Sequence, residues 1–323
     1  MEYRGTGLSG RARRSEPSWP SVIATTLRLW LERHPVFGGR GPRGRRVAVA
    51  LALVAVVALG AGVTGVIIGR ADRSPSVPAA AAGASAAPRG EAASWIAGQV
   101  AASAIVACDP AMCAVLHADG LPATRLLVLG TATADPLGSD VVVATLAVRN
   151  EFGARLQSVY APVVIASFGT GAGRIDIRAI APDGTAAYQA AVAADRRSRI
   201  SAGSQLLRNP RIIVASGARN ALSAGDVDPR LLMMLAALAD QQQLRITAFG
   251  DPSPGASPVV PLRSVEIAAL GPGAEAAASL RSMLSLIDAQ RQPFQPLRAA
   301  LAGSSALTVE YAAPSPLGLL GGP

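Results

Sequence analysis

From residue 91 onward the chain alternates short apolar runs with segments of helical spacing. Ala104–Cys108, Arg125–Leu129, Val141–Thr145 and Val163–Phe168 are nearly continuous apolar stretches, the pattern of strands covered on both faces. Asp109-Pro110 offers an N-cap and a first-turn proline for a helix through His117, which Gly120 and Pro122 stop. Further helices are expected over Ser94–Val100 and from Leu146 to Ser158. Residues 91–170 therefore predict a small α/β lobe built on a parallel, Rossmann-like sheet.

The rhythm changes after residue 170. Arg174, Asp176 and Arg178 alternate with Ile175, Ile177 and Ala179, as in a half-exposed strand of an antiparallel or mixed sheet. A long helix over Thr185–Leu207, a short strand at Ile212–Ala215 and a helix after Asp228-Pro229 follow. Strands at Leu244–Phe249 and Leu262–Leu270, a helix over Glu275–Arg291 and a strand at Ala306–Tyr311 close the pattern. Without the short strand the order is β-α-β-β-α-β, so residues 171–312 predict a ferredoxin-like α+β lobe with a mixed sheet. Residues 313–323 read as a disordered tail.

Ahead of these lobes, Val47–Gly69 is a stretch of 23 residues without a charge. A helix of about 20 apolar residues crosses a bilayer core and satisfies its own backbone there. Arg40, Arg43, Arg45 and Arg46 crowd its N-terminal side, with Arg70 after it. Basic residues remain in the cytoplasm, so residues 1–46 are expected inside and the lobes outside, on a single-pass signal-anchor. The long N-terminal region favours an uncleaved anchor over a signal peptide. Pro20–His34 reads either as an amphipathic helix on the inner membrane face or as a basic tail. Residues 70–90, rich in Ala, Pro, Ser and Gly, read as a linker.

Composition supports this layout. All thirty basic residues are Arg, and aromatics make up only 4% of the chain, a bias of GC-rich bacterial coding. The net charge of +9 invites a nucleic-acid reading. Its placement does not: residues 1–46 hold ten Arg against three Glu, whereas residues 70–323 hold twenty Arg against eighteen acids. No nucleic-acid partner is expected; the bilayer, with an envelope protein or a cell-wall component, is.

Candidate chemistry is sparse. Cys108 and Cys113 flank the turn after the first strand, where a disulfide fits an extracytoplasmic compartment. Two reduced thiols, a redox pair, or a metal site completed by His117 are the other readings. His117 is the only histidine after the span, so a Ser-His-Asp triad or a multi-histidine zinc site is not expected, and no cofactor or metal is called for. Asp109, Asp135 and Asp140 fall near strand ends, and Gly169 and Gly171 lie in a glycine-rich loop. These five residues are the candidate ligand crevice, at the strand ends where open α/β sheets bind ligands. Two carboxylates converging there would favour hydrolysis of a glycan; a surface of helix caps would favour binding.

Two stretches resemble known families. Trp95-Ile96, Val100, Ala104-Ile105-Val106 and Asp109 resemble the start of the outer α/β domains that follow the membrane spans of polyprenyl-phosphate-sugar glycosyltransferases. The resemblance implies an envelope location and no catalytic group, because in that family the membrane-embedded part performs the chemistry. Gly225–Leu232, the strand ending at Phe249, and Val265-Glu266-Ile267 resemble the core of zinc D-Ala-D-Ala carboxypeptidase-like domains. There His and Asp near the last two strands hold zinc; Phe249–Glu266 has no His, so the resemblance implies a core without its metal site. The expected function is a non-enzymatic, membrane-anchored binding or scaffold module. The alternative is a carboxylate-dependent hydrolase or transferase acting on an envelope glycan.

Overall fold

Among its described residues the chain builds two five-stranded mixed sheets with helices packed against them. The computed structural model describes residues 79–321 apart from 131–134, 251–252 and 304. The expected cytoplasmic residues 1–46, the membrane span at 47–69 and the first part of the linker lie outside the described residues. Among the described residues no helix is long and apolar enough to cross a membrane.

The first element, α1 (Ala79–Gln99), covers much of the expected linker. Its run of alanines, the strongest helix formers, outweighs the composition that reads as a spacer. The first sheet follows: β1 (Val106–Cys108), α2 (Pro110–Ala118), β2 (Leu126–Val128), β3 (Val141–Ala144), α3 (Leu146–Phe152), a π-helical turn (Leu156–Tyr160), β4 (Val163–Phe168) and β5 (Ile175–Ala179). The strand order is β2-β1-β3-β5-β4. β1 pairs in parallel with β2 and β3, as the apolar runs predict. β5, expected to open the second lobe, instead lies antiparallel between β3 and β4. The tight Gly169–Gly173 turn forces this, since a short connection yields an antiparallel hairpin. The first sheet is therefore mixed, and the ferredoxin-like order loses its first strand.

β5 is also buried rather than half-exposed. Its apolar face meets α1 and α2 through Ile96, Met112 and Leu116. The other face carries Asp176 and Arg178, which lie on the side covered by Phe152, Leu156 and Tyr160 of α3 and the π-helical turn. The buried charges hold because they are bonded. Arg178 donates to the carbonyls of Ala161 (2.7 Å) and Pro162 (3.2 Å), and Asp176 accepts from Ser167 (2.8 Å) and Arg174 (2.7 Å).

The second sheet comprises α4 (Thr185–Arg208), β6 (Ile212–Val214), α5 (Ser216–Ala224), α6 (Pro229–Gln241), β7 (Leu244–Gly250), β8 (Ser264–Ala269), α7 (Gly273–Asp288), β9 (Arg298–Ala302) and β10 (Ala306–Glu310). Its order is β6-β7-β8-β10-β9, with only β6 and β7 parallel. Leu206, Leu222, Leu235 and Met283 from four helices join Ile246, Ile267 and Leu307 in one core. α4 and α5 approach closely: a Cβ on Gly203 would lie 2.2 Å from the carbonyl oxygen of Leu222. Gly225, in the left-handed region at φ +70°, closes α5.

Residues 313–321, expected to belong to a disordered tail, pack against the fold. Ala313 is buried and bridges Val100 in parallel, while Pro314–Leu317 are half-buried.

Candidate functional site

At the C-terminal end of the parallel strands, the chain leaves β1 toward β2 and leaves β3 toward the opposite edge. Such a reversal is where open α/β sheets place ligands. Here it is filled by helix caps. Asp109 caps α2, its Oδ1 accepting from the Ala111 and Met112 amides at 3.0 and 3.1 Å. Thr145 caps α3 through the Val148 amide. The Thr145 hydroxyl then donates to Asp109 Oδ2 at 2.5 Å, so the two caps occupy each other.

Beside them, Cys108 and Cys113 form a disulfide with a Cα–Cα distance of 5.4 Å. The bond ties the end of β1 to the first turn of α2, as the spacing predicts, and removes both sulfurs from any thiol or metal role. His117 is exposed, and its Nδ1 lies 3.0 Å from the Leu121 carbonyl. No group of three or more potential metal ligands occurs among the described residues.

Gly169 and Gly171 lie at this same end, in the β4–β5 turn. An anion loop would point amides inward. This turn presents carbonyls to Arg149, which donates to Ala172 (3.0 Å) and Arg174 and also to Ala144 (2.9 Å). Asp140 lies at the other end of β1, accepting from the Ile105 amide at 2.7 Å, and Asp135 makes a local turn with the Leu137 amide. The five expected crevice residues are therefore not brought together: Asp109 and Asp140 sit at opposite ends of one strand.

Asp140 instead borders an open groove of about 410 Å³. Ile105, Leu137, Pro182, Tyr188 and Leu317 give it apolar walls. Burial raises the Tyr188 phenol above its ordinary pKa. Tyr188, Pro314, Ser315 and Leu317 also line a void of about 30 Å³ that reaches Asp195 and Arg199.

Beyond that void lies a polar cluster that sequence reading missed. Arg199 and Asp195, one turn apart on α4, form a buried ion pair at 2.8 Å, and Arg199 also donates to the Gly225 carbonyl. Burial raises the Asp195 pKa, opposed by Arg199 and the Gly318 amide. Asp228, fully buried, caps α6 and holds Arg230 through contacts of 2.9 and 2.7 Å. Arg230 lies over the Tyr311 ring at 4.8 Å and donates to the Ala312 carbonyl. Burial, and then the Asp228 charge, hold the Tyr311 phenol above its ordinary pKa. Arg263, also fully buried, donates to the Tyr311 carbonyl, Ser253 and Gln99. The i,i+4 spacing of Asp195 and Arg199 was a usable signal, and Asp228 was legible as a cap; nothing local marks Arg263.

No family model, curated protein or solved structure matches this chain.

Proposed function

We propose that the chain is a membrane-anchored, single-pass extracytoplasmic binding or scaffold module of the bacterial cell envelope, and not an enzyme. The observation that carries this reading is the closed switch point, where Asp109 and Thr145 bond each other and leave a surface of helix caps. The buried carboxylates have similar duties: Asp176, Asp195 and Asp228 are each held by arginine. Among the described residues Asp140 is the one acid lining the open groove, whereas a carboxylate-dependent glycan hydrolase or transferase needs two facing a substrate. The disulfide supports an oxidising compartment, and the arginine-flanked apolar stretch at 47–69 supports the anchor and its orientation. The partner is an envelope protein or a cell-wall component.

Photocross-linking in intact cells tests this. A photoreactive side chain at Leu137, exposed on the groove, should trap a discrete envelope protein or wall fragment. The same probe at exposed Leu286 on α7 should not. Identical adducts at both positions, or none at either, would count against the reading.

A further inference from the structure

Residues 312–321 run across Gln99–Ala101, α4 and the cap of α6, and the bonds that hold them resemble those of a bound peptide. Ala313 pairs through both backbone groups: its carbonyl accepts from the Ala101 amide at 2.9 Å, and its amide donates to Gln99 at 2.7 Å. The Ser315 hydroxyl donates to Asp228 at 2.5 Å, and the Gly318 amide donates to Asp195 at 3.1 Å. The Ser198 hydroxyl donates to the Gly321 carbonyl at 2.8 Å. The segment thus contacts α1, α4 and the cap of α6 without being a strand of either sheet.

Three features separate it from ordinary core. From Pro314 onward it is only half-buried or exposed, so polar contacts supply much of its hold. Its withdrawal strands no charge, because Asp195 keeps Arg199 and Asp228 keeps Arg230. Pro314, Ser315 and Leu317 line both the groove and the inner void. With Tyr188 of α4, they form the wall shared by the groove at Asp140 and the void that reaches the Asp195–Arg199 pair.

We propose that this cleft is a peptide-binding site, which residues 312–321 occupy as a strap in cis. Its ligand in trans is an extended, uncharged peptide with a hydroxyl residue at the Ser315 position and small or apolar residues around it. Backbone pairing with Gln99 and Ala101 supplies sequence-independent affinity, and Asp228 reads the hydroxyl. This names the ligand class of the binding module proposed above and rests on that reading. The strap competes at an effective concentration of about millimolar, so an added peptide gains access only when the strap is weakened.

The test uses the full-length chain in detergent and a fluorescein-labelled peptide with the sequence of residues 312–321, followed by anisotropy. The full-length variant carrying Ser315→Ala and Gly318→Pro loses two strap bonds. It should bind the peptide at least tenfold more tightly than the unaltered chain, and a scrambled peptide should bind to neither. Equal affinity for both proteins, or equal binding of the scrambled peptide, overturns the proposal. Should the variant not fold, hydrogen exchange on the unaltered chain decides. The Gly318 amide should exchange at least a hundredfold faster than the β8 amides, and equal protection overturns the strap. Loss of peptide binding with the Leu137 adduct intact removes only the ligand class; loss of both removes the module itself.

Discussion

Replacing Asp228 with alanine tests the reading of the buried polar cluster. The carboxylate is fully buried and performs three tasks: it caps α6, grips Arg230 and receives the Ser315 hydroxyl. Breaking a buried pair from one side costs about 3–5 kcal/mol, because the remaining charge stays buried without its counterion. Loss of the cap contributes about 1 kcal/mol. Arg230 keeps the Ala312 carbonyl and the face of Tyr311, which offset about 1 kcal/mol. The net expectation is about 4 kcal/mol. At roughly 2–4 °C per kcal/mol for a unit of this size, the melting temperature should fall by about 8–16 °C. Asp228→Asn keeps an oxygen for the cap and should cost about half as much. The double change Asp228→Ala with Arg230→Met removes both charges and should be milder than Asp228→Ala alone. Guanidinium unfolding of purified full-length protein, followed by tryptophan fluorescence, measures all three. A loss below about 1 kcal/mol for Asp228→Ala, or simple additivity in the double change, would refute the argument.

Gly203→Ala should destabilise by about 1–3 kcal/mol in the same assay, since the new methyl meets the Leu222 carbonyl and α4 must move off α5. Protein from its native compartment should show no alkylatable thiol until reduced, and Cys113→Ala should cost about 2 kcal/mol, as expected of so short a loop; two free thiols in folded protein would contradict this. Tyr188 and Tyr311 have raised pKa values, so their contribution to stability is complete below about pH 10, where the unfolded phenols begin to ionise, and is lost as pH rises toward their folded values. Absorbance at 295 nm should therefore show these two phenols ionising only as the fold is lost, and a reversible titration of all four tyrosines near pH 10 in folded protein would be inconsistent with that. A reporter fused after Pro323 should be active only outside the cytoplasm, and activity only inside would reverse the topology.

Much of the element pattern could be read from local signals. The Asp109-Pro110 and Asp228-Pro229 pairs place the starts of α2 and α6, and the apolar runs place β1, β3, β4 and β7. Pairing was harder, because it is decided by what covers each face. Arg178 and Asp176 look solvent-facing until α3 and the π-helical turn are placed above them. The glycine turn at 169–173 already implied a hairpin, and that signal outranks the change of rhythm used to divide the lobes. α5 was missed because its buried stripe is little more than Ala218 and Leu222. The site was the least legible part. Capping and ligand-binding aspartates look alike in sequence, and Ser315 reaches Asp228 across 87 positions of chain.

The bond between Asp109 and Thr145 joins two helices whose cores lie on opposite faces of one sheet, since α2 packs with the α1 side and α3 with the other. It acts as a rivet through the layer. A disturbance that loosens the first turn of α2 withdraws an acceptor from Thr145, and the first turn of α3 feels it without any movement of the strands between. Reduction of the neighbouring disulfide would therefore register on the far face of the sheet. Thr145→Val would cut that mechanical link, leaving the two helix starts to fray independently.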